Sequence, residues 1–227
     1  IIDDKGAGAH IRDFTACLLT NSVFDRNIAK GKGGGLYIYL GNKIYLQNCS
    51  FVKNQGTYGG GFRMLHANHS IVIKSKFIQN SATDDGAAFH IINTKICRMY
   101  AIYVNGNTAR FDGAGCYISR TKNLVLFTCR IFTNIAKNKG AGIYVYKTHQ
   151  SCIINTNFQN NSAKFGGALV NYKCRKTIIH RSLILQNRAG LLGGAIYNDM
   201  DDCLIISHSS LQNNEAAKRW WLVCREV

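Results

Sequence analysis

The densest acidic group in the chain is Asp199, Asp201 and Asp202, with Lys173 and Arg175 upstream. Glycosidases set two carboxylates across the scissile bond, and lyases pair a base with a cation or metal that neutralises a uronate. These three aspartates are therefore the candidate catalytic residues, and the two cations could complete such a site. All three lie in one short stretch, where aspartate is also an ordinary turn former. Asp84, Asp85 and Asp112 read as turn formers in the same way. The seven histidines are scattered and give no Ser-His-Asp arrangement. No C-x-x-C pair or tight Cys/His cluster occurs, so neither a metal nor a cofactor is expected.

Binding is the stronger expectation. Lys and Arg number 28 against 12 acids, a formal charge of +16 that attracts polyanions. Lys95, Arg120, Lys122, Lys147, Lys173 and Arg175, with Lys43, His66 and Lys176, recur at nearly constant intervals. A second recurring set is Lys30, Lys32, Arg110, Lys137, Lys139, Lys164 and Arg188. Tyr37, Tyr117, Tyr144 and Tyr197 recur with His10 and His90, flanked by Tyr39, Tyr146 and Tyr172. Cations in a row beside tyrosines would hold an extended anionic polysaccharide by charge pairing and stacking. The plainer reading is a solvated basic surface with β-favouring tyrosines covering a sheet. No nucleic-acid-binding motif accompanies the charge.

Whether these residues meet depends on the elements that carry them, and those are repeats. Asn27, Asn54, Asn80, Asn107, Asn134, Asn161, Asn187 and Asn214 follow one another at 26 or 27 residues. Three residues before each stands a large apolar residue, as Phe51, Phe77 and Phe158, and two after each stands Ala or Gly. Each unit opens with a small pair such as Gly34-Gly35 or Ala141-Gly142. Alternating runs such as Leu36-Tyr37-Ile38-Tyr39 read as strands. The pattern predicts an all-β chain, a right-handed single-stranded parallel β-helix of the pectin-lyase-like kind. Its eight coils would each hold three short strands, with Phe over Phe and Asn over Asn in a left-handed turn. Residues 1–217 would form this helix and residues 218–227 a C-terminal cap, or the start of a following segment of a longer chain. Trp220 and Trp221 do not suit the tight turn due there.

The Gly193-Gly194-Ala195-Ile196 start and the Phe-x-x-Asn of Phe51 to Asn54 and Phe77 to Asn80 resemble the tandem repeats of the polymorphic membrane proteins, a family of autotransporter passengers. The resemblance covers residues 6 to 217. It implies a secreted or surface-displayed adhesin, outside the cell or at the outer membrane, whose partner is a host or matrix glycan or a protein receptor. A polysaccharide-active β-helix enzyme and a structural spacer are the alternatives. No apolar run reaches the roughly 18 residues of a membrane span. Of the nine cysteines, Cys17 and Cys97 share a repeat position three coils apart, as do Cys49 and Cys129, too far for a bond. Cys49 and Cys129 read as fillers in a column of Ser22, Ser75, Ser182 and Ser209.

Overall fold

A computed structural model describes residues 6–218 and the strand Leu222–Arg225. Every strand pairing in it is parallel and joins residues 26 or 27 apart, as in Phe24↔Phe51↔Phe77. The chain is a parallel β-helix whose coils begin at Ala9, Leu36, Phe62, Phe89, Cys116, Ile143, Leu169 and Ile196. Three sheets run along the axis, of 13, 8 and 7 strands.

The expected three strands per coil need two changes. In the first four coils the first and second strands run together into one 12-residue strand, such as Leu36–Gln47. From the fifth coil they part, as Cys116–Ser119 and Asn123–Phe127. A further two-residue strand follows the Asn, such as Ser81–Ala82, and forms the third sheet. Leu222–Arg225 pairs with Ile196–Asp199 in the register of another first strand. Trp220 and Trp221 lie outside the described residues.

Inward side chains stack on their own kind. Phe24, Phe51 and Phe77 form a column with ring centroids 4.7 and 4.6 Å apart and planes within 7°. Phe158, Ile131 and Ile184 continue it, fully buried. Each strand alone could not bury its inner face, so the core exists only because one coil covers the next. The alanines after the Asn make a second small core with the alanines of the small pairs.

The recurring Asn is buried from Asn54 to Asn187 and forms a ladder. The Asn107 Nδ2 donates to Asn134 Oδ1 at 2.9 Å and to the Phe77 carbonyl at 3.0 Å, and its backbone N–H donates to the same Oδ1. Its own Oδ1 accepts the N–H and Nδ2 of Asn80. One side chain thus ties three coils. The left-handed backbone expected of the Asn belongs instead to the residue before it: Arg26, Lys53, Gln79, Gly106, Thr133, Asn160, Gln186 and Asn213.

Among the described residues, every positive-φ residue falls on one of four such columns. One, from Gly6 to Gly193, is glycine throughout, and a Cβ at Gly33 would meet the Leu36 carbonyl oxygen at 2.7 Å. The other three carry side chains at φ 48 to 57°, with Gly106 the exception. One is Asp13, Leu40, His66, Asn93, Arg120, Lys147, Lys173 and Met200, at the bend after the first strand. A left-handed non-glycine residue costs about 1–2 kcal/mol, and the ladders on both sides hold it there.

No disulfide forms among the described cysteines. Cys49 and Cys129 take the hydroxyl column as expected: the Cys49 N–H donates to Ser75 Oγ, and the Ser182 N–H to Ser209 Oγ. Burial pushes the Cys97 and Cys129 thiols up to about 11 and Cys174 up to about 12.

Two predictions test this packing. Asn107→Ala leaves the Asn80 N–H and one of its two Nδ2 hydrogens buried without an acceptor, the other still bonding the Phe51 carbonyl, and should lower unfolding free energy by about 3 kcal/mol at unchanged denaturant m-value. Asn105→Ala, which removes an exposed Thr133–Asn105 bond, should cost under about 1 kcal/mol; equal losses would show that the buried ladder does not hold the coils. At pH 8 a thiol reagent should modify the half-exposed Cys17, Cys152 and Cys203 in the native state and spare Cys97, Cys116, Cys129 and Cys174 until urea is added.

Candidate functional site

The bend after the first strand repeats in every coil, so the residues around it make parallel columns along the axis. The left-handed column becomes Arg120, Lys147 and Lys173 in the fifth to seventh coils. Two residues further along each coil, a second column runs Lys95, Lys122, His149 and Arg175. Between them lies an inward column that includes Ala67, Thr94, Thr121, Thr148 and Cys174, all buried. The outcome is a groove of about 880 Å³ along the axis, floored by the small residues and rimmed by exposed cations. It starts at Phe14 and Gly41, passes the amides of Asn42, Asn68 and Asn93, and ends among Lys95, Arg120, Lys122, Lys147 and His149.

All six cations expected to bind polyanions stand on these two columns: Lys95, Arg120, Lys122 and Lys147 line the groove, and Lys173 and Arg175 continue the columns beyond it. The single ridge read from the sequence resolves into more than one column. Lys43 and Lys176 belong to the start of the second strand, aligned with His69, Ile96, Asn123 and Gln150. Tyr146 and Tyr172 brace one rim: their rings stack at 5.5 Å, with Lys147 Nζ 5.1 Å from the first and Lys173 Nζ 5.2 Å from the second.

No aspartate or glutamate lines the groove among the described residues. The ion pairs among those residues are Arg12–Asp13 and Arg26–Asp25, both in the first coil. Like charges one coil apart, roughly 4.8 Å along the axis, repel by up to about 1 kcal/mol per pair even in bulk water. Along the groove, from Lys95 to Lys147, the rims therefore carry charge that no carboxylate of the groove neutralises.

The tyrosine column is a correction. Tyr37, Tyr144 and Tyr197 are 3 to 5% exposed and Tyr117 is half-buried. The segment after each Asn folds back over the outer face of the first strand: Phe165 lies 5.5 Å from Tyr197, and Val170 joins Tyr144 and Tyr197 in one apolar cluster with Leu192. These rings are spent on covering the sheet and present no platform to a sugar.

Under the same cover lies a polar cluster that the sequence did not announce. Arg63 and His90 are register partners in the outward column, 6% and 2% exposed. The Arg63 guanidinium lies 4.7 Å from the Tyr58 ring and 6.0 Å from Tyr37, while His90 stacks on Tyr117 at 4.7 Å. Tyr58 bonds Asp84, the Asp112 N–H donates to Asp85, and Asn138 and the Lys139 N–H donate to Asp112. Asp85 and Asp112 are turn formers, as expected. Burial, with the charges of Asp112 and Asp84, pushes Asp85 up to about 7, and burial with the charge of Asp84 raises Asp112. Burial and the Arg63 charge hold His90 well below the ordinary histidine range. The only sequence sign was Arg63 and His90 standing in a column otherwise mostly tyrosine.

The catalytic candidates do not converge. Asp201 points into the floor column, where its Oδ1 accepts the Cys174 N–H at 2.7 Å, and burial pushes its carboxyl up to about 7. Asp199 accepts the Tyr197 hydroxyl at 3.1 Å, and Asp202 is exposed in the second rim column beside Arg175. Among the described residues no group of three His, Cys, Asp or Glu could hold a metal ion.

The family described as right handed beta helix region matches residues 1–136. No curated protein and no solved structure matches the chain.

The raised carboxyls set a pH dependence. A carboxyl held near 7 in the folded chain but at its ordinary 3.8 when unfolded favours folding while protonated, and that contribution fades as pH rises from about 4 through 7. His90 acts oppositely, losing stability as pH falls below its ordinary 6.5. Two strongly raised carboxyls, with Asp112 beside them, outweigh one imidazole, so Tm should rise by several degrees from pH 8 to pH 5.5. Asp85→Asn and Asp201→Asn, which keep the accepting oxygen, should each raise Tm at pH 8 and flatten the profile. A Tm that falls steadily on acidification, unaltered by either change, would refute the assignment.

Proposed function

We propose that this chain, which belongs to the right-handed β-helix family, is a secreted or surface-displayed module that binds an extended anionic polymer along its axial groove, without catalysis. The observation that carries this reading is the pair of cationic rims, which meet no carboxylate along the groove itself; Asp201 and Asp202 stand only beyond its end, in the eighth coil. A polymer lying parallel to the axis meets the same chemistry at each coil, and each further coil engaged adds contacts at little further orientational cost. An adhesive role on a host or matrix glycan follows from that geometry and from the polymorphic-membrane-protein-like repeats.

Cleavage is the less supported reading. Asp201 spends one oxygen on a backbone donor and Asp199 is bonded to a tyrosine hydroxyl, so neither stands ready to face an acid partner across a sugar.

The folded chain should be retained on heparin at about 0.15 M salt. Changing Lys147, Lys173 and Arg175 together to Ala should release it, with Tm unchanged because all three are exposed. Retention that survives this triple change would remove the groove from the reading. Turnover of a uronate polymer that Asp201→Asn abolishes would replace binding by catalysis.

A further inference from the structure

We infer that the groove is built for a glycan carrying more than one anionic group per sugar, a polysulfated chain rather than a polyuronate; this rests on the reading of the groove as a polyanion site. The observation is the doubling of the cations. In the fifth coil Arg120 and Lys122 face each other across the single floor residue Thr121, and in the seventh Lys173 and Arg175 do so across Cys174. The sixth coil pairs Lys147 with His149 across Thr148. Coil spacing is roughly 4.8 Å, close to the length of one pyranose along an extended chain. A polymer with one carboxylate per sugar therefore supplies about one charge per coil and satisfies one rim. The paired cations of the fifth and seventh coils call for about two charges per coil there.

The amides of Asn42, Asn68 and Asn93 continue the groove beyond the cations. They offer donors and acceptors for sugar hydroxyls, so a block of lower charge is accommodated next to a highly charged one.

A single-stranded nucleic acid is the other densely charged polymer. Its recognition depends on aromatic platforms for the bases. Among the described residues Phe14, in the first coil, is the one phenyl or phenol ring that lines the groove; Tyr146 and Tyr172 beside the rim are stacked on each other and held by Lys147 and Lys173, and Tyr37, Tyr144 and Tyr197 are buried.

The test uses the full chain and four fluorescent probes of matched length: a heparin dodecasaccharide, the same oligosaccharide desulfated, a polygalacturonate dodecasaccharide and a 12-nucleotide DNA strand. Heparin should bind at least about tenfold tighter than each of the other three at 0.1 M salt. Arg120→Gln with Lys122→Gln should weaken heparin about tenfold and reduce the slope of log affinity against log salt by about two. Lys30→Gln with Lys137→Gln removes the same charge from the other basic surface and should change affinity less than about threefold.

Equal affinity for heparin and polygalacturonate, both lost in the rim variant, would overturn the sulfate assignment and leave the anionic-polymer reading intact. Equal weakening by the rim and control variants, or no binding of any probe, would overturn that reading as well. DNA binding tighter than heparin would overturn the glycan class.

Discussion

Registry between one coil and the next is the constraint on which this molecule depends. A four-residue strand has no stability alone, and its inner face becomes core only when an identical face settles on it one rung away. The Asn ladder sets that rung. Each amide donates to the coil on either side and receives from a neighbour, so a slip by one residue would strand several buried donors at once. The same ladder holds its neighbours in left-handed backbone that Arg26, Lys53 or Gln79 would not choose.

Registry also turns a one-dimensional pattern into surface columns. Whatever residue type recurs at a position is concentrated into a line, with no freedom to interleave opposite charges unless the sequence itself alternates. At the bend after the first strand it does not alternate: cations follow cations through the fifth, sixth and seventh coils. The bend makes the groove because its middle residue points inward and is small, while the residues on either side point out. The groove and its charge thus have one cause, the phase of the bend relative to the repeat.

The outer face of the first strand shows the opposite outcome. Its position is outward by alternation, yet the segment after each Asn returns across it, and the tyrosines there become a second apolar layer. Arg63, His90, Asp85 and Asp112 are trapped in that layer, which is why their charges are costly: burial pushes Asp85 up to about 7, raises Asp112 and lowers His90.

The repeat, its register, the inward columns of Phe, Asn and Ala, and the separation of Cys17 from Cys97 and of Cys49 from Cys129 were legible in the residues, because stacking makes sequence spacing and spatial neighbourhood the same thing. The cations were legible as a group for the same reason. What lies within one coil was not: the division of the basic ridge into two rims around a floor, the fold-back that buries Tyr37, Tyr144 and Tyr197, and the use of Asp201 as a backbone acceptor. Periodicity relates each residue to its counterpart above and below but says nothing of how far a turn swings around the axis. That angle is set by the left-handed residues and by packing between different segments of one coil, and only the tertiary structure decides it.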